Sequence, residues 1–380
     1  MKNDQNHFDY FFVLAFILFF VVSCISIYHA QVIGEMKENV LLKQIVWYGV
    51  GGIIIFVVML FDMEQIQRLR WYIYCFSIFL LIVLILSPES IARKINGAKS
   101  WFTFIPGISF QPSELSKIGL IICLSYVISQ AGPSLISMKQ HLLLLGKMTL
   151  LTFIPILCIM GQPDLGTSLV LLFIFAGMVL VSGISWKLIL PVFLTLLIVG
   201  GGSIYLILFE PDFIKALGVK QYQLGRIYAW LDPETYKQGD GYHLYQSLLG
   251  VGSGQLQGMD NSDVHIPESH TDFIFSVIAN KFGFYGAGTV ICLYFFLLYR
   301  MIRLSIETKD SFSSFVCIGV ITMITFHTFQ NIGMTIGLLP ITGIPLPFIS
   351  YGGSAMIGNM LALGLVMSIS LRNKKYFFDS

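Results

Sequence analysis

Long apolar runs separated by short polar breaks dominate this 380-residue chain. A helix needs about 20 apolar residues to cross the hydrocarbon of a bilayer. By that rule the pattern predicts about ten spans, near residues 10–29, 43–62, 71–87, 116–131, 141–160, 165–184, 187–209, 273–300, 313–338 and 353–371. No internal repeat or low-complexity tract divides the chain. Residues 1–380 therefore read as a single all-α polytopic membrane domain, with a large extracytoplasmic loop at about 210–271 between spans seven and eight. The first apolar run lacks a small-residue cleavage signal after it and is expected to stay in place as a span.

A second departure from the helical pattern is Gly337-Leu-Leu-Pro340-Ile-Thr-Gly343-Ile-Pro345-Leu-Pro347-Phe-Ile-Ser350-Tyr351-Gly352-Gly353-Ser354. Three prolines and several glycines exclude a continuous helix. The segment is also too apolar to be a free loop, so a re-entrant or surface turn buried in protein is expected. Gln330 and Asn331, in the preceding span, then need internal partners.

Ten spans put both ends of the chain on one side. The loops on that side carry Arg68, Arg70, Lys139, Lys187, Arg300, Arg303 and Lys309, and the tail carries Arg372, Lys374 and Lys375. The short loops on the opposite side have fewer positives, apart from Arg93, Lys94 and Lys99. The positive-inside bias places both termini in the cytoplasm. Residues 88–113, 210–271 and 340–351 are then the outer segments, and the polar chemistry gathers there.

Composition agrees with the pattern. The chain is 56% hydrophobic and 12% charged, against about 25% charged in a soluble domain. A net charge of +2 with no basic tract gives no footing for nucleic acid. Cys24, Cys75, Cys123, Cys158, Cys292 and Cys317 all lie in apolar runs, without metal or redox spacing, and read as packing residues.

The richest polar stretch is Ile266-Pro267-Glu268-Ser269-His270-Thr271-Asp272-Phe273-Ile274-Phe275. Ser269 and Asp272 have the spacing of a capping-box variant, so Asp272 fits a helix start. A carboxylate partly buried at a lipid–water boundary also suits general-base chemistry, because burial raises its pKa. Spacing leaves both readings open. His265 and His270 match no standard metal-ligand pattern with Asp272.

Glu114 and Lys117 are three apart at the start of a span and can pair on one helix face. Their readings are an interfacial ion pair or an anionic head-group site. Asp164 can cap the next span. Arg226, within the long loop, suits a pyrophosphate, although an exposed arginine is commonly only solvated. The run Gly250-Val251-Gly252-Ser253-Gly254 follows no βαβ pattern, which rejects a dinucleotide site and leaves a flexible loop.

Taken in order, these residues resemble the SEDS family of shape, elongation, division and sporulation proteins. The landmarks are Asn96-Gly97-Ala98 with Trp101, Gln111-Pro112-Ser113-Glu114 with Lys117, Pro163-Asp164-Leu165-Gly166-Thr167-Ser168, Arg226, Gln246-Ser247 with the glycine run, Pro267-Glu268 through Phe273, and Asn331-Ile332-Gly333 through Ser354. Phe8-Asp9-Tyr10 and Gly343-Ile344-Pro345-Leu346-Pro347-Phe348 favour the elongation branch over the division branch.

The resemblance implies a ten-span peptidoglycan glycosyltransferase of the bacterial plasma membrane. It would polymerise lipid II on the outer face, beside a class B penicillin-binding protein and within the elongation or division machinery. Asp272 matches the carboxylate on which family activity depends. A substrate-binding role is carried onto Trp101, Glu114, Lys117, Asp164, Arg226, His270 and Ser350. A divalent cation, magnesium or manganese, is a candidate cofactor. The family often has an acidic pair after Asp-Phe-Ile-Phe, where this chain has Asn280 and Lys281. That change speaks against a carboxylate-rich metal site and keeps a non-catalytic scaffold in play. A lipid II flippase is a further alternative, although no inverted repeat supports alternating access.

Overall fold

The computed structural model describes residues 9–34, 36, 38–92, 98–105, 108–132, 137–209, 221–259 and 264–373. Arg93, Lys94, Asn96 and Gly97, the tail lysines Lys374 and Lys375, and Phe8 lie outside the described residues, as do parts of the long loop.

Ten apolar helices carry the fold. They are α1 (Tyr10–Ile33), α2 (Val40–Leu60), α3 (Met63–Leu86), α4 (Pro112–Ala131), α5 (Met138–Met160), α6 (Leu165–Val181), α7 (Trp186–Phe209), α10 (Ile274–Glu307), α11 (Ser311–Thr335) and α12 (Gly353–Asn373). Among the described residues, nine have the length and composition to cross a membrane, and α6 is shorter at 17 residues. Two shorter helices, α8 (Gln221–Leu231) and α9 (Tyr242–Ser253), occupy the segment expected as the long polar loop. A hairpin of β1 (Phe102–Ile105) and β2 (Ile108–Phe110) precedes α4.

The polar breaks between the runs act as helix starts. Asp9, Asn39, Ser137, Asp164 and Asp310 each accept a backbone N–H in the first turn that follows. An orphan amide left in lipid would cost several kcal/mol, so each break needs such an acceptor. Ion pairs then tie helix ends together on one face. Asp9 pairs with Arg300, and Arg372 bonds Asp62 at 2.5 Å. The start of α1, the α2–α3 turn and the ends of α10 and α12 therefore share a face, as an even number of crossings requires.

The interior is built from α4, α11 and α12, which are the most buried helices. Around them α2 packs on α12, α3 on α4, α6 on α11 and α1 on α10. Leu14, Phe56, Phe79, Leu157, Phe193 and Phe295 are among many large apolar side chains left on the outside. In water that surface would aggregate, and in a bilayer it faces lipid.

The run predicted at 273–300 is not one straight helix. Gly283 interrupts α10 with φ 60° and ψ −156°, a conformation open to glycine. The amides freed by that break are taken up by the turn after α9. Phe284 N–H donates to the Gln255 carbonyl at 2.9 Å, Tyr285 N–H to Leu256 at 3.3 Å, and Met259 N–H to the Asn280 carbonyl at 2.9 Å. The glycines explain how the two segments come so close. A Cβ on Gly254 would lie 1.9 Å from the Ala279 oxygen, and one on Gly258 would lie 2.0 Å from the Lys281 oxygen. The glycine run is therefore a packing seam, not the flexible loop its spacing suggested. Asn280 belongs to the same seam, donating to Ser253 Oγ at 2.7 Å and to the Gly250 carbonyl.

Candidate active site

Residues 267–273 fold back tightly before α10. Glu268 has φ 48°, and its carbonyl accepts the N–H groups of both Thr271 (3.1 Å) and Phe273 (3.2 Å). Thr271 Oγ1 also donates to the Glu268 carboxylate at 2.9 Å. Helix α10 then starts with Phe273 at its N-cap and no side-chain cap. Ser269 Oγ donates to the Ala30 carbonyl on α1 instead. The capping box expected at Ser269 and Asp272 does not form, and the Asp272 carboxylate is left without a capping role.

The turn is held by three consecutive carbonyls. That of His270 accepts Tyr351 N–H at 2.8 Å, that of Thr271 accepts Ser350 Oγ–H at 2.6 Å, and that of Asp272 accepts Asn331 Nδ2–H at 2.8 Å. Asn331 Nδ2 also reaches the Ile344 carbonyl, and Gln330 reaches that of Pro340. The proline- and glycine-rich segment is thus pinned by the polar residues of α11 and is largely buried in protein from Ile344 to Ser350, whereas Leu338 and Gly343 are exposed. Ser350 is buried and accepts Leu346 N–H at 2.9 Å. It positions the turn and does not present its hydroxyl to solvent.

Gly343, at φ 71°, faces the acid. A Cβ there would lie 3.4 Å from Asp272 Oδ2. Asp272 keeps partial exposure, although protein crowds its carboxylate. Burial, reinforced by the nearby Glu268 charge and opposed by Arg226, raises its pKa to about 6. Arg226 reaches this neighbourhood from α8. Trp230, on the same helix, donates its indole N–H to the Gly337 carbonyl at 2.9 Å and ties α8 to the pinned segment.

Two imidazoles border the turn. His270 packs at a tilt beside Tyr351, with ring centroids 5.8 Å apart, and burial holds its pKa below the usual value. His243, on α9, lies 6.0 Å from the Phe273 ring and is lowered first by burial and then by Arg226. Both are neutral at pH 7, so they add polarity without charge. Sequence reasoning missed His243, since a lone histidine in a loop carries no spacing signal.

Asp164 does cap α6, accepting Thr167 N–H at 3.0 Å, and it also accepts Gln111 Nε2–H at 3.0 Å. Next to it, a Cβ on Gly166 would meet the Thr342 oxygen at 2.9 Å. The Asp164 turn thus flanks the same segment that holds Asp272. Trp101 is half-buried just before β1.

Glu114 and Lys117 form a separate cluster in the interior. Lys117 Nζ lies 2.8 Å from Glu114 Oε2, at an angle outside good hydrogen-bond geometry, so the contact is one of charge. Lys117 Nζ also lies 3.1 Å from His327 Nε2. His327 Nδ1 is 2.7 Å from the Met323 carbonyl, which can only accept, so Nδ1 carries the proton and Nε2 accepts from Lys117. A Cβ on Gly358 would strike Glu114 Oε2 at 2.5 Å, so α12 makes room for the pair with a glycine. His327 was missed because it sits alone in an apolar run, 210 residues from Lys117.

Among the described residues, no three His, Cys, Asp or Glu side chains converge to hold a metal. Asn280 and Lys281 are engaged in the glycine seam, with Lys281 Nζ 3.3 Å from the Met259 carbonyl. The described residues do not make up a protein-only divalent-cation site.

The chain matches the family model for the FtsW, RodA and SpoVE cell cycle proteins over residues 5–375. It belongs to that family. It is 31% identical to the stage V sporulation protein E of Bacillus subtilis, over 97% of this chain and 99% of that one. It is 32% identical to the peptidoglycan glycosyltransferase MrdB of Escherichia coli, over 98% and 95%. Among solved structures, a chain of a peptidoglycan synthase complex that coordinates polymerization and crosslinking aligns with a TM-score of 0.78 at 27% identity, covering 98% of this chain and 99% of that chain. The rod shape determining protein RodA of Thermus thermophilus aligns with a TM-score of 0.68 at 26% identity, over 96% and 97%. Each of these matches to the FtsW/RodA/SpoVE family covers 96% or more of this chain.

Proposed function

We propose that this chain is an inverting peptidoglycan glycosyltransferase that polymerises lipid II at the outer face of the bacterial plasma membrane. Relatives that match over nearly the whole of both chains carry the name peptidoglycan glycosyltransferase. The observation that carries the residue assignment is the uncapped Asp272 carboxylate on a turn pinned at three successive carbonyls.

In this reading Asp272 is the general base. A carboxyl with pKa about 6 is mostly ionised at neutral pH, yet basic enough to assist proton removal. It takes the proton of the acceptor sugar's 4-hydroxyl as that oxygen attacks the anomeric carbon of the donor. The bond from that carbon to the polyprenyl pyrophosphate breaks, and the configuration inverts in a single displacement. The anion leaving with the lipid gains from a nearby cation, and Arg226 is the cation coupled to Asp272. Holding the base in place supplies the orientation that the displacement requires.

The donor set around Asp272 supports no route through a bound metal, and a magnesium or manganese ion would have to take its ligands largely from the pyrophosphate. A class B penicillin-binding protein is the proposed partner, since a structurally similar chain belongs to a complex joining polymerization to crosslinking. Both termini then face the cytoplasm, in keeping with the lysines and arginines on the face that holds the ends of α1 and α12. The test is polymerisation of lipid II by the purified protein with its partner in detergent. Glycan strands that vanish with Asp272→Asn support the reading, and strands of unchanged length sink it.

A further inference from the structure

On the face opposite Asp272, the C-terminal end of α4 and the first turns of α5 enclose a groove of about 530 Å³. Its polar lining includes Lys139, Lys147, Gln130 and Gln140, and its apolar lining includes Leu143 and Leu144. No acid pairs with either lysine among the described residues. Helix α5 contains no Asp or Glu, and the single acid of α4, Glu114, is at that helix's other end.

Lys147 lies two turns into a membrane-spanning helix, where an ionisable group carries a cost that a ligand can offset. Its stem can run along α5 so that the ammonium rises toward Lys139 at head-group level. Two cations then stand above an apolar floor, with two side-chain amides beside them. We propose that this groove binds an anionic diacyl glycerophospholipid of the leaflet on that face. Phosphate meets the lysines, acyl chains lie against Leu143, and the amide of Gln130 donates to an ester carbonyl. A polyprenyl phosphate offers no ester carbonyl for that amide.

The full-length protein in detergent, titrated with phosphatidylglycerol and phosphatidylcholine and read by native mass spectrometry, tests this. Phosphatidylglycerol should bind and phosphatidylcholine should not. Lys139→Gln or Lys147→Gln alone should weaken binding about 5-fold, and the double variant about 30-fold. Lys187→Gln, at the start of α7 on the same face, should leave it unchanged. These lysines are exposed, so the variants should keep the parent's melting temperature. Equal affinity in the double variant overturns the site. Displacement of the phospholipid by an equimolar polyprenyl phosphate overturns the assigned occupant.

Discussion

Ser350 donates its hydroxyl to the carbonyl of Thr271 at 2.6 Å, across 79 residues of sequence. That bond joins the apolar segment before α12 to the residue preceding the acid. With the Tyr351 and Asn331 bonds on either side, it makes the orientation of Asp272 a property of three elements at once.

Removing the Ser350 hydroxyl strands two buried groups, the Thr271 carbonyl and the Leu346 amide. Each stranded group costs about 1–3 kcal/mol. Ser350→Ala should therefore slow polymerisation about tenfold or more and lower the melting temperature. The pH midpoint of the remaining activity should stay where it was, because the charges around Asp272 are untouched. A shifted midpoint would place Ser350 in contact with the titrating group.

Asp272→Asn should abolish strand formation while the protein accumulates normally. The acid caps no helix, and its raised pKa means that the folded state disfavours the charged form. At pH 7 that is a destabilising contribution, absent below the ordinary carboxyl range and growing as pH rises toward 6. The asparagine variant should be as stable as the parent or more so, by on the order of 1–3 kcal/mol. A thermal shift in detergent checks this, and marked destabilisation would restore a capping role.

Activity should rise with pH through about 6 as Asp272 loses its proton. Glu268 raises that pKa, so Glu268→Gln should move the midpoint to lower pH. Arg226 lowers it, so Arg226→Gln should move the midpoint upward and also reduce the rate. Initial rates across pH 5–8 for the three proteins decide, and opposite shifts are the expected signature.

In the interior, Glu114→Gln should destabilise the protein by about 3–5 kcal/mol, since it leaves the Lys117 ammonium buried with only neutral partners. Glu114→Gln combined with Lys117→Met removes the charge with its partner and should regain most of that loss. Denaturation in detergent compares the two. If the double variant is no better than the single, the pair is not coupled.

Gly283→Ala should cost about 2–4 kcal/mol. The new Cβ would lie 2.5 Å from the Gly258 nitrogen and the Leu256 oxygen. Both are backbone atoms that cannot swing aside. Melting temperature reports the loss, and near-native stability would show that the seam can part.

The helices were the most legible part of the chain. Each long apolar run became a helix, because lipid leaves the backbone no other way to pair its polar groups, although α3 begins at Met63, well before its predicted start at 71, and α10 runs on to Glu307. The Glu114–Lys117 pair and the Asp164 cap were also readable, since both lie within one helical turn. The rest depends on distance in sequence. Nothing local joins Lys117 to His327 or Asn331 to the Asp272 carbonyl. The break at Gly283 was hidden for another reason, since one glycine in an apolar run resembles any other. The glycine run misled because its small residues matter for what they let another backbone approach.

That break also bears on where a sugar can be reached. Nine residues, at about 1.5 Å each, separate the start of α10 from Gly283. Asp272 can thus stand up to about 13 Å beyond the longer arm of the helix. The elevation of the carboxylate is therefore set by the short arm and by the seam that holds Gly283 against the turn after α9, not by the longer arm alone.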